Sequence, residues 1–427
     1  MKINRNLEKK NNLLLIVSDF WRVEAPFLLP ELEKVANKFH KITIVNTSVN
    51  NQTKNNLKNL SFETDHFQLL KNIDFVTIIK KEKNNFSPKL FKLWNISLIK
   101  ELIYCVCFIK KIRYTALKDI ISYHWKAQSF FTELTQQIKL GDYDILYTYW
   151  LDFHTLALIQ NKTRLKSKII SRAHNWDVYF ERTKSGYLPF RKYLLRNLDL
   201  FCPISENAKK YLCETLKESF QNIQVSKLGI HALKQGETIN FNTNKLKIVS
   251  ISYISPVKRV ELLLDAMAHI PSTINIEWIH IGPGKDLMHL KEKSYALTKL
   301  KPNIAIEFKG FMDIKEVQTF LKNEVIDLHI NVSAFEGIPV SIMEAMSCGI
   351  SCIATNVGGN AEIVNAKNGA LISKNPTNEE IAAAIIAFYN LSQEEKIEKS
   401  KQAKQTWELE YNAAINFEKF SKLLSEL

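Results

Sequence analysis

The sequence predicts an α/β protein made of two doubly wound parallel-sheet domains, and three observations carry that reading. Short apolar runs rich in β-branched residues alternate with helical stretches along both halves, the pattern of strand–helix–strand units in a parallel sheet. A polar stretch at residues 236–244 interrupts the alternation once and reads as a linker. A length of 427 residues exceeds what one small core organises. The predicted domains span residues 1–235 and 245–400, followed by a terminal helix at 401–427.

The elements follow in order. Residues 13–18 form an apolar strand; Leu28, Leu32, Val35, Ala36 and Phe39 recur at helical spacing; residues 42–45 make the next strand. The first domain therefore opens β-α-β. Residues 50–60, rich in asparagine and lysine, read as loop, and from about residue 90 to 140 the pattern is helical and aromatic without a strand signal. Strands follow at 144–149, 168–171 and 200–204, the last leading through Ser205 as an N-cap into a helix that ends near Ser219. The second domain begins with a strand at 247–252 and continues with strands at 277–281, 305–309, 326–332 and 351–354, each followed by a helix. The tail from residue 394 is helical, with Trp407, Tyr411, Ile415 and Phe420 on its apolar side.

Composition narrows the function classes. Hydrophobic content of 46% with 24% charged residues is that of a soluble globular chain. No apolar run approaches the roughly 18 residues of a membrane span, and the polar, lysine-rich start of the chain offers no secretory leader. The cysteines, at 105, 107, 202, 213, 348 and 352, show no paired metal-ligand spacing and read as free thiols in a reducing cytoplasm. The net charge of +14 is lopsided: residues 1–235 hold 38 Lys+Arg against 21 Asp+Glu, net +17, and residues 236–427 hold 20 against 23, net −3. No helix-turn-helix, zinc or aromatic RNA-binding signature accompanies the basic half, so nucleic acid is not the expected partner. Lys80-Lys81-x-Lys83, Lys110-Lys111-x-Arg113 and Arg191-Lys192, interleaved with apolar and aromatic residues, point to peripheral contact with an anionic membrane at its inner face; solvated lysines on helix faces are the alternative.

The most specific stretch is Phe335-Glu336-Gly337-Ile338-Pro339-Val340-Ser341-Ile342-Met343-Glu344, which sets two carboxylates eight positions apart around a turn and a helix start. Gly337 permits backbone geometry closed to other residues, Pro339 suits the first helical turn, and N–H groups from Val340 onward favour an anion. The strand at 351–354 and the run Val357-Gly358-Gly359-Asn360-Ala361-Glu362 repeat the strand–loop–helix unit. Two such loops at one sheet edge predict a nucleotide site.

From Glu336 to Val364, Glu-x7-Glu followed by Gly-Gly-x-x-Glu closely resembles the donor site of retaining glycosyltransferases of family 4, which have the GT-B fold. The resemblance implies two Rossmann-like domains facing across a cleft, the first on the acceptor side and the second holding a nucleotide sugar, with the terminal helix crossing back to the first. It implies Glu344 for the ribose diol, which can give a carboxylate two hydrogen bonds, and Glu336 for the transferred sugar. Backbone groups of Gly337, Ile338, Pro339, Val340 and Ser341 would surround sugar and diphosphate. Ser255-Pro256-Val257-Lys258-Arg259-Val260 resembles the family's phosphate-binding loop, and Lys258 matches its lysine. Ser252 and Tyr253 stand where many members carry an arginine, a loss that Arg259 would offset. His174, in the polar cluster Ser171-Arg172-Ala173-His174-Asn175-Trp176-Asp177-Val178-Tyr179, matches the histidine that contacts the donor sugar. Gly282-Pro283-Gly284 resembles the nucleotide-side loop. Arg172 and Asp177 would orient the acceptor or pair with each other. The first loop, Asp19 to Pro26, lacks the glycines of many members, which assigns Trp21, Arg22 and Glu24 to the acceptor side.

The activity so implied is retaining transfer of a hexosyl unit from a UDP- or GDP-linked sugar to a saccharide or lipid-linked oligosaccharide, in capsule, exopolysaccharide or lipopolysaccharide assembly. Glu336, His174 and Lys258 would be catalytic. No cofactor beyond the nucleotide sugar, and no metal, is expected: no Asp-x-Asp motif stands where a metal-dependent enzyme needs one, and cationic side chains can neutralise a leaving diphosphate. A nucleotide-sugar epimerase or hydrolase on the same fold, or a non-catalytic nucleotide-sugar or nucleic-acid binding protein, is the alternative.

Overall fold

The computed structural model describes residues 11–18, 25–47, 72–78, 96–108, 114–233 and 245–427. The chain divides into two units: Met1–Ile204, Ala208–Ser226 and Phe417–Leu427 in the first, Ser205–Asn207 and Lys227–Asn416 in the second. The expected loop at 50–60, the linker at 236–244 and the basic clusters at Lys80–Lys83 and Lys110–Arg113 lie outside the described residues.

The first unit holds a parallel sheet of β1 (Asn12–Val17), β2 (Lys41–Asn46), β3 (Ile73–Thr77), β4 (Ile145–Thr148), β5 (Lys168–Ala173) and β6 (Leu200–Pro203) in the order β3-β2-β1-β4-β5-β6. The second holds β7 (Leu246–Ile251), β8 (Ile276–Ile281), β9 (Ile304–Gly310), β10 (Leu328–Asn331), β11 (Ser351–Thr355) and β12 (Gly369–Ile372) in the order β12-β11-β10-β7-β8-β9. Read from opposite edges, the two orders are the same. Each sheet grows outward from its first strand and then resumes on that strand's other side, so winding reverses between β1 and β4 and between β7 and β10. At such a switch point successive crossovers leave on opposite faces and open a crevice beyond the strands' carboxyl ends.

Central strands are continuous apolar runs because helices cover both faces of the sheet. Leu13 through Val17 are all buried, in register with Ile42 on one side and Ile145 on the other from Leu13. Helix Ala25–Ala36 lays Leu28, Leu32 and Val35 on that sheet. Glu31 lies on the same buried stripe, and its carboxylate accepts the Tyr147 hydroxyl at 2.8 Å and sits 3.4 Å from the Arg172 guanidinium. In the second unit, fully buried Trp278 donates its indole N–H to Ser250 at 2.9 Å.

The tail forms two helices, Gln393–Glu410 and Ala413–Ser425. Trp407, Tyr411 and Phe420 are buried as expected from their spacing, but Ile415 is 41% exposed because the break at Tyr411 resets the helical phase. Phe420 and Leu424 join the core of the first unit, where the Phe420 ring lies 4.3 Å under the Arg172 guanidinium.

The region of helical pattern becomes helices Ile96–Phe108 and Tyr114–Gln137. No helix among the described residues is long and apolar enough to cross a membrane. Arg191-Lys192 does not form the expected basic surface. Arg191 is fully buried, donating to the Asp177 carbonyl at 2.8 Å and the Tyr123 hydroxyl at 2.9 Å, and Lys192 pairs with Glu218 at 2.9 Å.

Candidate functional site

The β7/β10 switch point brings together two segments far apart in sequence. Lys258 follows β7 on the turn entering helix Val260–Met267, and Glu336 follows β10. Lys258 Nζ donates to Glu336 Oε1 at 2.6 Å, and Asn331 Nδ2 donates to the same oxygen at 3.1 Å. Asn331 in turn accepts the Ser333 N–H at 3.0 Å, which shapes the loop that carries Glu336. The Glu336 carboxylate is almost sealed while Lys258 stays about one-quarter exposed, so the lysine can turn to an incoming anion. A cavity of about 10 Å³ lies beside the pair, lined by Ser252, Lys258, Asn331 and Ser333 among others.

The two glycine loops meet here. Gly359 donates its N–H to the Gly337 carbonyl at 2.7 Å. A Cβ on Gly358, whose φ is +51°, would lie 1.8 Å from the Glu336 carbonyl oxygen, and one on Gly359 would lie 2.3 Å from that of Gly337. Only glycine permits this approach. Gly337, Ile338 and Pro339 are buried, Val340 and Ser341 half-buried. Pro339 is the N-cap of helix Val340–Ser347, which starts where the sequence places it, and no side chain caps that helix. Glu344 is buried on the helix, and burial pushes its carboxyl up to about 7, against a hydrogen bond from Gln318.

Arg259 serves a purpose other than the expected one. It adopts a left-handed conformation at φ 51°, and its guanidinium donates to the carbonyls of Val332 at 2.7 Å, Ser333 at 2.8 Å and Lys374 at 3.0 Å. Those bonds anchor the loops and engage most of its donors within the protein, although the side chain stays half-exposed. Gly282 has φ +145° and a Cβ there would meet the Ser252 carbonyl at 1.9 Å, so packing against Ser252 and Tyr253 accounts for the glycine.

In the first unit, His174 follows β5, 8% exposed, its ring between Tyr149 at 4.5 Å and Trp150 at 4.4 Å. Burial and the nearby Arg172 charge hold its pKa well below the usual imidazole value, so the ring is neutral. Neither ring nitrogen has a hydrogen-bond partner among the described residues. Asp177 accepts the backbone N–H groups of His174 at 2.9 Å, Asn175 at 3.0 Å and Leu151 at 3.1 Å, and is fully buried. It is a loop fastener, not a group offered to an acceptor. Arg172 is also sealed, paired with Glu31 and donating to Ser226 at 2.7 Å; Arg172 and Asp177 neither reach the surface nor pair with each other. Trp21, Arg22 and Glu24 lie outside the described residues. Asn331 is not among the residues the motifs single out, although a polar residue closing an apolar strand five positions before Glu336 marks it.

Residues 234–407 match the family model described as glycosyl transferases group 1. The chain is 25% identical over 286 residues to the putative colanic acid biosynthesis glycosyltransferase WcaL of Escherichia coli K12, covering 64% of this chain and 68% of that protein. It is 24% identical over 211 residues to the O-antigen biosynthesis glycosyltransferase WbnH of Escherichia coli, covering 48% and 56%. Among solved structures, Anabaena HepE in complex with UDP and glucose superposes with a TM-score of 0.63 at 15% identity, over 98% of this chain and all of that one. The apo form of the lipopolysaccharide outer core galactosyltransferase WaaB gives 0.63 at 16% identity, over 97% and 100%. The fold is that of the GT-B glycosyltransferases.

Proposed function

We infer that this chain, whose carboxy-terminal unit belongs to the group 1 glycosyl transferases, is a retaining glycosyltransferase of surface polysaccharide assembly. It moves a hexosyl unit from a UDP- or GDP-linked sugar to a saccharide or lipid-linked oligosaccharide. The observation that carries the reading is the Lys258–Glu336 pair at the β7/β10 switch point, set against two interlocked glycine loops. Before substrate binds, each member of the pair neutralises the other. When a nucleotide sugar enters, Lys258 turns to the diphosphate, where charge develops as the sugar leaves, and the freed Glu336 carboxylate accepts hydroxyl groups of that sugar. A lysine and a helix start placed at the leaving group do this without a metal. Glu344 takes the ribose diol. His174 supplies a neutral imidazole on the acceptor-side unit, able to hydrogen-bond a sugar hydroxyl.

Peripheral contact with an anionic membrane belongs to the same proposal, now carried by a different surface. Ile96, Ile99, Ile103 and Val106 share one face of their helix and are 42–72% exposed; Tyr114 and Ile121 on the next helix are exposed too, at 80% and 48%. Exposed lysines Lys100 and Lys118 flank them.

The test combines ligand-induced stabilisation with turnover. UDP or GDP should raise the melting temperature of the wild type more than ADP does, since a ligand stabilises only the state that binds it. Glu336→Ala should keep that stabilisation and lose sugar transfer by at least about a hundredfold. Unimpaired transfer by Glu336→Ala would remove the carboxylate from the mechanism, and release of free sugar at the wild type's full rate without any acceptor would favour a hydrolase.

A further inference from the structure

Lys258 has to let go of Glu336 before it can reach a diphosphate, and the residue it leaves behind is only 5% exposed. Stripping one partner from a buried charge pair is costly, because the remaining charge has lost its counterion and has no water in exchange. Nor can the carboxylate follow the lysine. Ahead of it the Ser333 carbonyl accepts the Thr355 hydroxyl at 2.6 Å and the Arg259 guanidinium at 2.8 Å, and the Ala334 N–H donates to the Val257 carbonyl at 2.7 Å. Behind it Gly358 and Gly359 pack on the carbonyls of Glu336 and Gly337. With its loop pinned on both sides, Glu336 needs a second donor already in place.

Asn331 stands where that donor must be. Its Nδ2 lies 3.1 Å from Glu336 Oε1, the oxygen that Lys258 also holds, and no other side chain among the described residues donates to Glu336. The orientation of the amide follows from chemistry: Oδ1 meets the Ser333 N–H at 3.0 Å, a group that can only donate, so the NH2 end faces the carboxylate. Asparagine suits neither a strand nor a buried position unless both ends of its amide are bonded. At the end of β10, 7% exposed, both ends are. Hydrogen bonds to an ionised acceptor are the strong ones, and 3.1 Å leaves room for this one to shorten once the lysine withdraws. Both bonds land on Oε1, which leaves Oε2 for a hydroxyl of the sugar.

We propose that Asn331 is a positioning residue of the donor site: its amide takes over Glu336 when Lys258 departs, which frees the lysine for the diphosphate and keeps the carboxylate aimed at the sugar. The proposal rests on the reading of Lys258 and Glu336 as donor-site residues. It makes nucleotide affinity depend on Asn331 only through the charge of Glu336.

A double-mutant cycle on UDP binding tests that dependence, measured by calorimetry at pH 8.5 and repeated with GDP. Asn331→Leu should weaken the nucleotide about tenfold, because Lys258 is then released only at the expense of an unpartnered carboxylate. Glu336→Gln should bind at least as tightly as the wild type, and adding Asn331→Leu to it should change the affinity less than about twofold. Asn331→Asp keeps the oxygen that accepts the Ser333 N–H but places a second carboxylate where the donor stood, so it should weaken the nucleotide at least as much as Asn331→Leu. That variant preserves the loop's own bond, so a misfolded Asn331→Leu would not shield the idea. An equal loss from Asn331→Leu with and without Glu336→Gln would mean that the amide only shapes the loop, and wild-type affinity in Asn331→Asp would mean that its donor is not needed; either overturns the proposal. Absence of UDP and GDP binding by the wild type would overturn the donor reading itself, and this proposal with it.

Discussion

At the scale of single residues, the site contains one carboxyl whose protonation state decides what it can do. Glu344 is pushed up to about 7 by burial, so near neutrality a large fraction carries a proton. A protonated carboxyl offers a diol one lone-pair-rich oxygen; the carboxylate offers two. Hydrogen bonds to the charged form stabilise it, so a nucleotide held as proposed should lower this pKa and release a proton. Because the ligand prefers the deprotonated form, affinity should be level above about pH 8 and fall as pH drops below 7, approaching tenfold per unit well below it. Calorimetric titration of UDP from pH 5.5 to 8.5 checks this, and Glu344→Gln, with no titrating group, should bind weakly and without that slope. A wild-type profile as flat as the variant's would take Glu344 out of the nucleotide site. The same scale shows what a sequence displays and what it hides. Glu336 and Lys258 each sit on a loop that the sequence marks, though nothing local says that a bond spans the 78 positions between them. Arg172 was misread because a polar cluster after a strand looks exposed. Two-residue alternation from Ile170 in fact points it into the core, where Glu31, spaced among Leu28, Leu32 and Val35, waits as its partner.

At the scale of elements, legibility followed burial. Strands in the middle of each sheet are covered on both faces and spell themselves as apolar runs. The two strands that the pattern did not reveal, β3 and β12, are both edge strands. β3 is nowhere fully buried and alternates with an aspartate, and β12 is four residues long and begins with Gly369, where a Cβ would lie 1.9 Å from the Cys352 carbonyl. These two edges are short or broken, which strips them of the signal that the longer edge strand β9 keeps. Helices Ile96–Phe108 and Tyr114–Gln137 are the reverse case: readily recognised as helices, but with apolar residues on more faces than one core needs. An exposed stripe of Ile96, Ile99, Ile103 and Val106 is costly in water and favourable in the headgroup region of a bilayer. Ile103→Asp combined with Ile121→Asp should therefore cut co-sedimentation with phosphatidylserine-containing vesicles roughly tenfold, at unchanged helical content by circular dichroism. Equal sedimentation of variant and wild type would return the stripe to ordinary surface.

At the scale of the whole molecule, the chain's course makes the stability of one unit depend on residues at its far end. The backbone passes into the second unit after Ser226 and re-enters the first at Phe417. Phe417, Phe420 and Leu424 are at most 1% exposed, and Phe420 also roofs the Arg172–Glu31 pair and touches Tyr147 at 5.6 Å between ring centres. Fully burying each such side chain contributes about 2 kcal/mol, so removing all three takes about 6 kcal/mol from the first unit, a large part of what a domain has in reserve. The damage goes beyond area, since the buried ion pair then faces solvent on one side and loses its low-dielectric setting. Lys258, Glu336 and Glu344 all lie between Lys227 and Asn416, so the unit that carries them has its own core and does not draw on the tail. Deleting residues 417–427 should consequently accelerate hydrogen exchange in β1, β4 and β5 by orders of magnitude while exchange in β7, β10 and β11 stays near wild type. UDP should still protect the β7 and β10 ends of the truncated protein, with sugar transfer lost. Equal acceleration in both sheets would mean that the tail supports the whole chain, and unchanged exchange in β1 and β4 would mean that the three apolar side chains contribute little to the core they fill.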